Sequence, residues 1–436
     1  MVLTPLSLAL LLVPALLLTA SAVAPGMALY AGLVFAAVAL LIAYDHVYSR
    51  RVVALELERR VEDKLSLGAD NLATVQVRNR CHLALHLLIK DDPPAAFVTD
   101  HRTFEVAVPP YDETTVSYHT RPLARGRYGF GDLHVRGRTL LGLSYWQRRV
   151  PAAQEVAVYP NLLEVRRYQL LARSDRLRQA GFRQTRRLGQ GTVFESLREY
   201  SPDDEFRSID WKATARRHHP ISRQYETERS QTVILMLDAG RMMTTLVGDL
   251  SRLDYALNAA LMLAYVAVER DDAVGLIAFA DDVKAFVPAR KGHRQVGLIT
   301  EALYDLQPAL VEPDYAEAFA VLAARARKRA LVVCFTDLVD VDASGRLLGH
   351  MAALAPHHLP LLVTLRDSDL QAAAQRPPQD VPETYQRALA SQVLQDRATA
   401  LEVLRRRGVM VLDVLPEKLT VAAVNEYLGL KARGRL

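Results

Sequence analysis

The chain has 436 residues, of which 50% are hydrophobic and 24% charged, with a formal net charge of +5. That length predicts two or three domains, and the ordinary composition excludes disorder, collagen and a coiled coil as descriptions of the whole. Cys81 and Cys334 lie far apart in apolar runs, which excludes a disulfide framework and a Cys-x-x-Cys metal or redox site and predicts two buried thiols.

The N-terminus carries the first strong signal. No Lys, Arg, Asp or Glu precedes Asp45, and the apolar run is broken once, at Ala24-Pro25-Gly26. Each half is about 20 residues, enough to span the ~30 Å hydrocarbon core of a bilayer. Residues 1–48 are therefore expected to form a transmembrane helical hairpin. A cleaved signal peptide fits less well, because there is no basic leader and the second apolar half has no use in one. Arg50, Arg51, Arg59 and Arg60 follow the second span, while the hairpin tip is uncharged. The positive-inside rule then places the soluble domains in the cytoplasm. Spans without an ionisable group argue against a channel.

Residues 52–160 predict a small β-sandwich. The stretches 52–57, 73–78 and 104–108 alternate at period two, with turn residues at 67–71 and 108–112. Gly126, Gly129, Gly131, Gly137 and Gly142 crowd the later part. No parallel strand and helix flank them, so they are expected in hairpin turns rather than a nucleotide loop. Residues 161–190 hold eight arginines against Glu164 and Asp175. Such a segment suits anionic lipid headgroups, an acidic partner or plain solvent. Nucleic acid is not expected, because only Tyr168 and Phe182 interleave the arginines.

From residue 231 to 436 the pattern becomes α/β. Near-continuous apolar strands are predicted at 232–238, 273–279, 330–337, 361–365 and 409–414, with a short edge strand at 283–287. Helices are predicted at 253–270, 294–306, 315–326, 391–407 and 420–430. This alternation implies a mostly parallel, Rossmann-like sheet covered on both faces. Ligands of such sheets sit at the carboxyl ends of the strands, where Asp238 and Asp337 both fall.

Residues 191–216 read GTVFESLREYSPDDEFRSIDWKATAR. This stretch resembles the signature of the bacterial "domain of unknown function 58" family, which runs Phe-x-x-Leu-Arg-x-Tyr-x-Pro-Gly-Asp-x-x-Arg-x-Ile-x-Trp-x-x-(Ala/Ser)-Ala-Arg. Asp203 departs from it, standing where the family has Gly. The surrounding plan is similar too: two membrane spans, a β domain, the signature, then a von Willebrand factor A-like domain. The resemblance implies work beside a MoxR-type AAA+ ATPase, in assembly or regulation of other proteins.

Arg198, Glu199, Asp204, Arg207, Asp210 and Arg216 alternate in sign beside Tyr200 and Trp211. They can form an ion-pair network fixing the segment, with Trp211 and Arg207 as anchors. They can equally form a docking surface, where Arg, Tyr and Trp are favoured. Ser196, Ser201 and Ser208, with His218 and His219, make no triad or nucleophile-elbow pattern. No Walker A motif occurs, so the chain is not itself an ATPase.

A von Willebrand A domain would hold a divalent ion through Asp-x-Ser-x-Ser, a Thr and a second Asp. The first motif here reads Asp238-Ala239-Gly240-Arg241-Met242, with Pro313 at the Thr position, so only Asp238 and Asp337 remain. Mg²⁺ prefers many oxygen ligands, so no metal or other cofactor is expected. Arg241 is expected to occupy the cleft and neutralise both carboxylates. The resulting expectation is a membrane-anchored interaction or scaffold protein, not an enzyme. The alternative is a metal-dependent hydrolase using the A-domain cleft.

Overall fold

In a computed structural model the described residues are all but 1, 23, 25, 174–192, 202–205, 207–208, 218, 227–229, 339–343 and 435–436. The chain divides into two units, Met1–Tyr159 and Pro160–Leu436. The signature segment, expected as part of a separate stretch, falls within the second.

The first unit opens with helices α1 (Pro5–Ala20) and α2 (Met27–Val52). Thr4 caps α1 by accepting the Ser7 N–H, and Pro5 starts it where no N–H is needed. Both helices expose large apolar side chains, among them Leu12, Leu16, Leu29, Leu33 and Leu40. Among the described residues only α2 is long and apolar enough to cross a membrane; α1 is shorter. The first charged residue, Asp45, is buried. Its carboxylate accepts the Leu141 N–H at 3.0 Å, and Ser49 Oγ accepts the Leu140 N–H at 2.9 Å.

The alternating strands behind α2 form two antiparallel sheets over one core. One runs Leu55–Val61, Asn71–Asn79, Glu113–Pro122, Phe97–Thr99. The other runs Val2–Leu3, Ser144–Val150, Leu133–Arg138, Leu85–Lys90, Thr103–Val108. Val75, Val77 and Tyr118 of the first meet Leu87, Ile89 and Trp146 of the second, the packing that period-two alternation implies. A smaller sheet joins Lys64–Ser66, Gln154–Tyr159 and Gly126–Phe130. Gly129 and Gly137 lie inside strands, so the glycine-rich stretch is not made of turns alone. Cys81 is buried, as is Cys334 of the second unit.

Arg59 corrects the sequence expectation. Its position suggests a membrane-flanking cation, but it points inward from its strand and pairs with buried Asp91 at 2.7 Å. Arg60 pairs with Glu58 on the surface. Arg50 and Arg51 alone remain in the last turn of α2.

In the second unit, helix α3 (Leu162–Arg173) covers the start of the arginine-rich stretch. Val165 and Tyr168 of α3 are buried in the core, so this part is a docked helix rather than a solvated linker. Arg176, Arg178, Arg183, Arg186 and Arg187 lie outside the described residues.

The main sheet has six strands: β1 (Thr232–Asp238), β2 (Ala273–Phe279), β3 (Val283–Arg290), β4 (Leu331–Phe335), β5 (Leu359–Leu365) and β6 (Met410–Val414). Their order is β3-β2-β1-β4-β5-β6, parallel except for β3. Helices α4 (Arg252–Glu269), α5 (Arg294–Tyr304) and α9 (Leu419–Ala432) cover one face; α6 (Tyr315–Arg325), α7 (Gly345–Leu354) and α8 (Val381–Arg406) cover the other. Within β1, Val233, Leu235 and Leu237 enter the first core, and Ile234 and Met236 the second. A strand buried on both faces must be apolar throughout, which is why the run is continuous.

Candidate functional site: the carboxyl edge of the parallel sheet

β1 and β4 both run out at the sheet's carboxyl edge, where doubly wound folds gather ligands. Asp238 closes β1 and is 1% exposed. Its Oδ1 accepts the Gly240 N–H at 2.7 Å; its Oδ2 accepts the Thr336 hydroxyl at 2.6 Å and the Tyr315 hydroxyl at 3.0 Å. The donors are all neutral, and among the described residues no cation is paired with it.

Burial raises the Asp238 carboxyl above its ordinary value, against these three hydrogen bonds. The unfolded carboxyl ionises at its ordinary pKa. Ionisation therefore costs the fold stability as pH rises from the ordinary carboxylate range through the raised folded value. Asp238→Asn removes that titration. The variant is expected to lose less stability than the parent between about pH 4 and 7, measured by urea unfolding at several pH values. Parallel profiles would refute this assignment.

Asp337 follows β4 and is also buried, but its surroundings are cationic. Its Oδ1 accepts the Leu338 N–H at 2.9 Å, the Thr364 hydroxyl at 2.9 Å and Arg397 Nη1 at 2.5 Å. Its Oδ2 meets Arg252 Nη1. Arg252 stands at the start of α4, where Ser251 and Asp254 form a capping box that fixes the first turn. Its Nη2 continues to Asp367 at 2.8 Å. Burial, opposed by Asp367, draws the Arg252 guanidinium below its ordinary value. Arg397 reaches in from α8 and donates to Leu338 O at 2.7 Å, Leu365 O at 2.8 Å and Asp413 Oδ1 at 3.1 Å. One buried carboxylate is thus held between two buried guanidiniums that are anchored on further acids and carbonyls.

The sequence assigned the neutralising cation to Arg241, and the structure assigns it elsewhere. Arg241 is exposed and pairs with Glu312 at 2.9 Å. Arg252 and Arg397 hold Asp337 instead. Met242 is half-buried outside the core, and its neighbour Met243 is the core residue. At Gly240 a Cβ would lie 2.9 Å from Pro313 Cδ and 3.0 Å from Asp238 Oδ1. Glycine at the serine position and proline at the threonine position therefore fit one another.

These residues do not suit a hard divalent ion, which needs several free oxygens converging on one point. Both oxygens of each aspartate are already engaged. Among the described residues no group of three or more His, Cys, Asp or Glu could hold a metal. Cys334 is fully buried, and burial followed by the Asp238 charge pushes its thiol up, away from nucleophilic character.

The described signature residues fall on other elements. Strand Val193–Glu199 pairs antiparallel with Ile221–Glu226, and helix Trp211–Arg217 lies between them in sequence. Asp210 caps that helix, accepting the Lys212 and Ala213 N–H groups at 3.0 Å each. Glu199 is exposed, 3.5 Å from His219, and Tyr200 is half-buried with its N–H on Pro220 O. Arg216 is exposed. Arg198 lies in the strand, whereas Asp204, Arg207, Ser208 and His218 fall outside the described residues. Trp211 is not a buried anchor. It is 61% exposed and meets Phe206, itself 68% exposed, edge-on at 5.6 Å.

Fold and edge together define a doubly wound α/β unit with an arginine-bridged carboxylate, on a chain that also carries a β unit and a long apolar helix. The model of the family described as "Protein of unknown function DUF58" matches residues 196–372, a span that includes both Asp238 and Asp337. An uncharacterized protein of Mycobacterium tuberculosis is 29% identical over 153 residues, 35% of this chain and 48% of that one. The uncharacterized protein YeaD of Bacillus subtilis is 29% identical over 189 residues, 41% of this chain and 46% of that one. The chain thus spans about half the length of the curated relatives it matches. Among solved structures, the conserved hypothetical protein BatB of Bacteroides thetaiotaomicron aligns at a TM-score of 0.33 and 15% identity, over 47% of this chain and 99% of that one. A CARDB domain from Pyrococcus furiosus aligns at 0.18 and 14% identity, over 24% of this chain and 89% of that one.

Proposed function

We propose that this protein is a membrane-anchored interaction protein that docks a protein partner through the Phe206–Trp211 surface. The observation that carries this is the exposed aromatic pair beside the cations Lys212 and Arg216. Aromatic and arginine side chains are favoured anchors at protein interfaces, and a purely structural tryptophan would be buried.

The strand order and helix placement of the second unit support a von Willebrand A-like domain serving as a binding module. The sequence resemblance implies a MoxR-type AAA+ ATPase as the partner. The charge-free run to Tyr44 and the exposed leucines of α1 and α2 support a membrane hairpin. Leu140 and Leu141, exposed at a hairpin tip bonded to α2, add apolar surface at its end. Arg50 and Arg51 support a cytoplasmic placement of the soluble units. We assign the chain no catalytic role.

The test is co-purification with a MoxR-type AAA+ ATPase from the same cell. Trp211→Ala and Phe206→Ala are each expected to weaken binding about thirtyfold, the ~2 kcal/mol of an interface hot spot. Exposed substitutions usually shift stability within about 0.5 kcal/mol, so the melting temperature should hold. Undiminished co-purification would overturn the docking surface. A fall in melting temperature alone would make Trp211 a folding residue.

A further inference from the structure

The amino edge of the six-stranded sheet, opposite the aspartates, carries a cavity of about 470 Å³. Gly275, Val287, Pro288 and Ala289 are among the residues that line it. Gly275 of β2 sits beside Ile234 of β1, and beyond it the pairing with β3 slips between Val274 and Leu276. A Cβ at Gly275 would lie 3.0 Å from Ala289 N and 3.1 Å from Val287 O, so the edge-strand backbone packs closely over this position and a larger residue would have to push it back. Gln295 fixes the slipped stretch, donating to Val274 O at 2.7 Å and Pro288 O at 2.8 Å. The sheet side of the cavity is therefore held in place by the fold.

Its walls are apolar: Ile277 and Phe286 from the sheet, Leu322 from α6. Helix α6 ends at Arg325, and the mouth opens past its last turn. Arg325, Arg327 and Lys328 line that mouth, and among the described residues no acidic side chain does. The Arg325 guanidinium lies over the Phe286 ring at 5.6 Å. An apolar cavity of this volume with a few convergent polar groups has the build of a small-ligand site. Cations of one sign at its lip select an anionic head group.

The edge strand also argues against an added peptide strand. β3 carries Lys284, Pro288 and two register slips, the features by which edge strands refuse new partners. We infer that this cavity binds an anionic amphiphile, a carboxylate or phosphate on an apolar body, with the body against Ile277, Phe286 and Leu322 and the head among Arg325, Arg327 and Lys328. Such a molecule can come from solution or from a lipid.

The test titrates octyl phosphate into the full chain in phosphatidylcholine nanodiscs by calorimetry. Two variants are compared: Ala326→Trp, which fills the cavity, and the double change Arg325→Glu with Lys328→Glu, on exposed residues that should not disturb folding. Each is expected to bind at least tenfold more weakly than the parent, and octanol or inorganic phosphate should bind the parent at least tenfold more weakly than octyl phosphate. Repeating the titration in discs enriched in phosphatidylglycerol distinguishes the sources. Weaker apparent binding there marks a lipid, and unchanged binding a soluble amphiphile. Equal affinity in the parent and the charge-reversal variant, or octanol binding as tightly as octyl phosphate, would overturn the proposal.

Discussion

Replacing Arg397 with methionine is expected to destabilise the second unit by about 3–5 kcal/mol, the cost of removing one partner from a buried ion pair. Arg397 serves five acceptors: Asp337, Asp413, the Thr364 hydroxyl and the carbonyls of Leu338 and Leu365. Methionine replaces the aliphatic stem but donates nothing, so two buried carbonyls and one side of Asp337 lose their partners. Arg252 still faces Asp337 and keeps the loss from exceeding that range. For a unit of this size the corresponding fall in melting temperature is roughly 6–20 °C. Arg397→Lys should fall between, because an ammonium keeps the charge but cannot reproduce the planar fork. A shift under about 2 °C for methionine would show that the network does not hold the edge together.

This network also marks how far the sequence could be read. Asp238 and Asp337 were placed correctly at strand ends, because a parallel strand buried on both faces leaves an unmistakable apolar run whose last residue is polar. The cations facing Asp337 left no such trace. Arg252 begins one helix and Arg397 lies inside another, 60 residues past Asp337, and a lone arginine on a helix ordinarily signals a solvated face. Arg241 drew the assignment because it adjoins Asp238 in sequence, yet a short 3-10 turn carries it outward to Glu312. Helix α8 begins at Val381, well before the predicted 391, because Asp380 caps it and Pro382 suits its first turn. Trp211, one of the two anchors in the ion-pair reading, is exposed for a local reason. Its helix has seven residues, and the buried contacts of that segment fall to Ile209 and Ile221 instead. Arg59 was misread as a membrane-flanking charge because composition outweighed register; counted at period two from Leu55, it faces inward.

That inward arginine carries the second large effect. Arg59→Met is expected to destabilise the first unit by about 3–5 kcal/mol. Arg59 Nη1 pairs with Asp91 Oδ1 at 2.7 Å, both side chains being buried, and also donates to Gly131 O at 3.1 Å. Its Nη2 donates to Ala152 O, and the guanidinium stacks over Phe130 at 4.7 Å. Methionine can keep the contact with the ring but none of the donors. Asp91 would then retain the Tyr118 hydroxyl at 2.7 Å and the Asp92 N–H at 2.7 Å, with no cation. A buried carboxylate deprived of its cation has its folded pKa raised above the unfolded value. The unfolded chain then releases its proton first, so the variant loses further stability as pH rises through the raised folded pKa. The deficit relative to the parent should therefore be larger at about pH 8 than at about pH 5. Tyr118→Phe provides the contrast, since it removes one hydrogen bond to a carboxylate that keeps its arginine. It should cost about 1.5–3 kcal/mol and leave the pH profile parallel to the parent's. Chemical unfolding of the three proteins at the two pH values separates these effects. A pH-independent deficit in Arg59→Met would mean that Asp91 is not held as an ion by Arg59, and the pair would contribute packing alone.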